Sequence, residues 1–117
     1  MTSKARTTRS GGRKGPTPPK TYDDFVARFP ALSKAWEAMG AAARDDGTLD
    51  DRECRLVKLG LAIGAQRQGA VQAAVRQALA AGISAEDVEQ TAALAASTIG
   101  VPGAVAAWSW IRAALKR

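Results

Sequence analysis

The residues best suited to chemistry gather between positions 52 and 76. Cys54 is the chain's one cysteine, and it falls where a helix should begin, among Arg52, Arg55 and Lys58. Nearby positive charge and a helix N-terminus both favour thiolate over thiol, which makes Cys54 a candidate peroxidatic or redox-sensing nucleophile. The competing reading is a small, half-buried residue on a first helical turn. Further along, Arg55, Arg67 and Arg76, with Gln66, Gln68 and Gln72, outline a polar patch able to hold a carboxylate or phosphate. The same side chains would equally serve as a solvated face. With Glu53 added, the candidate pocket is Glu53, Arg55, Arg67, Gln72 and Arg76. A single thiol allows neither an internal disulfide nor a Cys-x-x-Cys pair. There is no histidine, and neither a metal nor a cofactor is expected.

Helices must position these groups. Asp50 is a good N-cap, with Glu53 three residues on to close a capping box. Leu56, Val57, Leu59, Leu61 and Ile63 spread apolar surface around most of the helix that follows, so it should be central. Gly60 and Gly64 suggest that another backbone comes close to it. A polar corner, Gln66 to Gly69, leads into a second helix with Val71, Val75 and Leu79 on one face. Ala70, Ala74 and Ala78 lie beside them, and Gly82 is placed to end the helix.

Thr21 to Phe29 predicts a short helix capped by Thr21, with Phe25 and Phe29 on its apolar face. After Pro30, a helix from about Ala31 or Ser33 to Arg44 puts Leu32, Trp36 and Met39 on one stripe, and Asp45-Asp46-Gly47 is a turn. Ser84 caps a helix whose inner face is Val88, Ala92, Ala95 and Ile99. Gly100 ends it, and Pro102 suits the first turn of a last helix striped by Ala104, Trp108, Ile111 and Leu115. On these stripes Trp36 and Trp108 are core residues, and Trp110 is left as an interface candidate. Nothing alternates as a strand would. The fold class is all-α, with about six helices around a central helical hairpin.

Hydrophobic residues make up 46% of the 117, but only six are aromatic. Alanine-rich helices pack closely and bury little area per residue, so a chain this short gains from oligomerising. The net charge is +6. Lys4, Arg6, Arg9, Arg13, Lys14 and Lys20 account for all of it, because residues 21–117 balance 11 basic against 11 acidic side chains. Residues 1–20, ending in a Pro-rich spacer, should be a disordered basic tail, and 21–117 the folded domain. The tail would contact nucleic acid or an acidic protein without sequence preference, or would only aid solubility. It lacks the apolar residues of a secretory signal or an amphipathic transit helix, and no run is long enough to cross a membrane. A cytoplasmic protein is expected.

The Leu49–Gly82 hairpin, its Ala78-to-Gly82 close, the Ser84-Ala85-Glu86-Asp87 helix start and the Gly100-Val101-Pro102 step together resemble the carboxymuconolactone decarboxylase and alkylhydroperoxidase D-like superfamily. The likeness runs roughly from Asp23 to Leu115. It implies a helical bundle that assembles as a trimer or hexamer. It also implies where chemistry would sit. The histidine of the family's thiol peroxidases falls on Ala74, its two cysteines on Ala70 and Arg67, and its helper glutamate near Arg55, with Glu53 two residues off. Some relatives place histidine where this chain has Gln72. Alanine cannot shuttle a proton and arginine stays protonated. The resemblance therefore implies a family domain with a degenerate site, probing Cys54 as the remaining enzymatic alternative.

Overall fold

The computed structural model describes residues 20–116. Six helices follow in order: α1 (Lys20–Arg28), α2 (Pro30–Asp45), α3 (Asp51–Gly64), α4 (Gln68–Ala80), α5 (Ala85–Ile99) and α6 (Val101–Leu115). Among the described residues there is no strand, and no helix is long and apolar enough to cross a membrane. The all-α expectation holds. The chain divides into two compact units, one carrying α1 and α2 and the other α3 to α6.

In the first unit α1 starts one residue before the expected cap. Lys20 is its first residue, and its Nζ lies 3.2 Å from Asp24 Oδ1 one turn on. Thr21 therefore lies inside the helix rather than at its cap. Phe29 holds a non-helical conformation between the helices, and Pro30 opens α2 rather than preceding it. Proline suits that position, since its missing N–H has no helical partner there. The Phe25 and Phe29 rings stand 5.1 Å apart, and Tyr22 meets Trp36 edge-on at 6.4 Å.

The stripe Leu32, Trp36, Met39 is not a core. All three side chains are half or more exposed, as is Phe25. Two helices alone cover each other along one seam and leave the flanks of both apolar stripes open.

The core of the second unit is built from Leu59, Ile63, Val71, Val75, Val88 and Ile111, all fully buried, with alanines filling between them. Helix α5 packs against α6 and α3 against α4, and the two pairs are joined by α4 against α6 and α3 against α5. Expected inner faces hold for α4, where Val71, Val75 and Ala78 are buried, and for α5, where Val88 and Ala92 are. They do not hold everywhere. In α3 only Leu59 and Ile63 are buried; Val57 and Leu61 point outward, so the helix is not enclosed.

In α6 the buried stripe is Ala104, Ala107, Ile111 and Ala114. Trp108 stands outside it with the Arg112 guanidinium 4.8 Å from its ring centroid, while Trp110 is half-buried against the core. The two tryptophans thus exchange their expected roles. Alanine on the inner stripe lets α5 and α6 approach closely, and an indole on that stripe would hold them apart.

Helix ends follow local chemistry. Gly82 takes φ +88°, the left-handed conformation that glycine adopts at little cost. There the Ile83 N–H donates to Ala78 O and the Gly82 N–H to Leu79 O, both at 3.0 Å, closing α4 in a Schellman motif. Ser84 Oγ accepts the Asp87 N–H at 3.1 Å and caps α5. Gly100, at φ +94°, ends α5 and starts α6, with Pro102 in the first turn.

Candidate functional site

The α3–α4 corner shows how the sequence holds the hairpin together. Gln66 N–H donates to Ile63 O at 2.9 Å and Arg67 N–H to Ala62 O at 3.2 Å. This is the same 5→2 and 6→1 pairing that closes α4. Here the left-handed residue is Gln66 itself, at φ +55°. A non-glycine residue there costs about 1–2 kcal/mol, and the side chain supplies compensation. Its Nε2 donates to Ile63 O at 3.0 Å and to Gly103 O on α6 at 3.1 Å.

Gly103 is where the chain is tight. A Cβ there would stand 3.0 Å from Ile99 Cδ1 and 3.4 Å from Gln66 Oε1. At Gly60 and Gly64, where close approach was expected, an added Cβ would meet nothing within 4 Å.

The candidate residues distribute along this hairpin. Cys54 is half-buried on α3, and Glu53 is exposed in its first turn. Of the cations expected to favour a Cys54 thiolate, Arg52 is engaged with Asp87 on α5 through a salt bridge. Arg55 turns toward Asp51, with Nε 3.4 Å from Oδ1. That N–H is poorly aimed for a hydrogen bond, and the atom is covered without another acceptor. Two of the three nearby positive charges are thus directed at carboxylates.

Arg76 and Gln72 are half-buried on α4, and Gln72 Nε2 donates to Trp110 O at 3.4 Å. Arg67 is exposed at the N-cap of α4. It lies nine residues from Arg76, or about 13 Å along the axis at 1.5 Å per residue. Because α3 and α4 reverse direction at the corner, Arg55 and Arg76 fall at similar heights and Arg67 at the other end. The structure therefore does not gather the candidate pocket into one cluster around Arg67.

A depression of about 190 Å³ between α3 and α5 is lined instead by Arg52, Leu56, Asp87, Gln90, Thr91 and Leu94. The Arg52–Asp87 bridge across it joins residues 35 apart in sequence. No local pattern announces such a pairing. A larger hollow, about 540 Å³ and almost wholly apolar, lies between α1 and α2. Of the tail cations, Lys4, Arg6, Arg9, Arg13 and Lys14 lie outside the described residues, and Lys20 belongs to α1.

An all-α unit built on a short-cornered hairpin, closed by Gly82 and followed by a Ser-capped helix and a Gly-x-Pro step, defines a known class of helical domain. The chain belongs to the carboxymuconolactone decarboxylase family, whose family model matches residues 30–113. It is similar in fold to the apo crystal structure of a carboxymuconolactone decarboxylase family protein from Legionella pneumophila. That likeness has a TM-score of 0.66 at 20% identity, over 83% of this chain and 86% of the other. No match was found among curated proteins.

Proposed function

We propose that this chain is a self-assembling, cytoplasmic carboxymuconolactone decarboxylase-family domain without thiol-peroxidase or decarboxylase chemistry. The observation that carries the reading is the composition of α4. Ala74, Ala70 and Arg67 occupy the places where the resemblance puts a histidine and two cysteines. A thiol peroxidase needs a thiolate and a base in mutual reach. Cys54 has no second cysteine in the chain to resolve it, and Arg52 and Arg55 beside it face Asp87 and Asp51. Self-assembly is supported by the apolar side chains left open on both units, among them Trp36, Met39, Val101 and Val105.

The chemical half of the reading is tested by hydroperoxide consumption with a dithiol reductant. The intact protein and Cys54→Ala should give the same rate, equal to that of buffer. Turnover well above buffer that disappears in Cys54→Ala would make Cys54 a working nucleophile and overturn the reading.

A further inference from the structure

The hollow between α1 and α2 lies wholly within the first unit. Its volume of about 540 Å³ falls inside the range of about 300–1,000 Å³ that small-molecule pockets occupy. Phe25, Leu32, Trp36 and Met39 form its mouth, each half or more exposed. Val26, half-buried, and Ser33, only 8% exposed, complete the wall. No charged residue lines it.

Ser33 is the group that calls for a ligand. It is the one buried polar residue among those described. Its backbone N–H donates to Phe29 O at 3.0 Å. The hydroxyls of Ser84, Thr91 and Ser109 each have a partner, whereas that of Ser33 has none among the described residues. A buried hydroxyl left in that state is costly. Water is a poor remedy, since an ordered water needs about two to four polar partners and the wall here is almost wholly apolar. A hydroxyl both donates and accepts, so it can meet either a hydroxyl or a carbonyl of a ligand. A charged head group would lose its hydration and find no counter-charge in the wall. The Phe25 and Trp36 rings favour an aromatic body.

We propose that the α1–α2 hollow is a binding site for a neutral, mainly apolar small molecule, an aromatic alcohol or ketone, whose polar group meets the Ser33 hydroxyl. The proposal goes beyond the reading above. The degenerate-site argument rests on α4 and is untouched by its outcome.

The test titrates naphthol into the isotope-labelled full-length protein at neutral pH and follows the backbone amide signals. Shifts should saturate and cluster in α1 and α2. Naphthalene, the same ring body without a polar group, should bind about two- to tenfold more weakly, the worth of one neutral hydrogen bond. Naphthoate, the same body with a charge, should not bind at these concentrations. Ser33→Ala, which suits a helix, should erase the preference for naphthol over naphthalene. Trp36→Ala should weaken both. If Ser33→Ala loses the parent's circular dichroism, Ser33→Cys, a much weaker donor of similar size, repeats the comparison.

The site is overturned if naphthol produces no shifts or shifts outside α1 and α2, in which case another copy or a protein partner covers the hollow. The role of Ser33 is overturned if the parent binds naphthol and naphthalene alike, or if Ser33→Ala keeps the preference. Naphthoate binding as tightly as naphthol would overturn the neutral ligand class.

Discussion

Leu59→Ala will lower the unfolding free energy by about 2–5 kcal/mol, the range for emptying a buried leucine site that collapses only partly. Leu59 is completely buried on α3 and is one of the largest side chains in the core. Most neighbouring core positions are valine or alanine, small residues that cannot swing in to fill the space. In a domain of this size each kcal/mol moves the thermal midpoint by about 4–8 °C, so a fall on the order of 8–40 °C is expected. Leu61, two residues on, provides the control: it is 67% exposed, and Leu61→Ala should stay within about 0.5 kcal/mol of the parent. Urea unfolding of the three proteins at one concentration measures both. Equal losses at the two sites would show that α3 buries a different face from the one described.

The second large effect runs the other way in volume. Ala107 is completely buried on the inner stripe of α6. Ala107→Leu inserts three carbons where the helices rely on small residues to meet, and overpacking of this kind costs about 1–3 kcal/mol. Ala113, exposed on the same helix, should accept leucine with little change. Thermal melts of the two variants separate the cases. A stable Ala107→Leu would mean that α6 turns its Trp108 side inward after all.

The contrast between these positions shows what could be read ahead of the structure. Helix number and most boundaries were legible because they depend on nearby chemistry: glycine at 82 and 100, the Ser84 hydroxyl, proline at 30 and 102. Faces were legible where a helix has one apolar stripe, as in α4. They were not legible in α6, where Ala107 and Trp108 are both apolar and only the neighbouring helix decides between them. The left-handed Gln66 was hidden for a similar reason. Its compensation includes a hydrogen bond to Gly103, 37 residues away, and no local rule recommends glutamine at such a place. The Ile99 side chain and the Gln66 carboxamide that makes this bond together crowd Gly103, whereas a Cβ at Gly60 or Gly64 would meet nothing within 4 Å.

In the candidate site, residue types were readable and their grouping was not. Arg67 and Arg76 look close in a linear patch, yet a helix separates them by two and a half turns. Arg52 looked like an activator of Cys54 until the fold brought Asp87 to it. The amphipathic pattern of α1 and α2 was plain in the sequence, whereas what covers their apolar faces depends on contacts beyond the hairpin.

Self-assembly is the central claim, and the molar mass of the unmodified chain in solution tests it most directly. At micromolar concentration and moderate salt, light scattering behind size exclusion should give a mass several times 12.2 kDa. The mass should hold on modest dilution, since surfaces of this apolar character associate firmly. A single sharp peak at 12.2 kDa across the same range would contradict the account, leaving Trp36, Val105 and Trp108 as exposed side chains of a monomer.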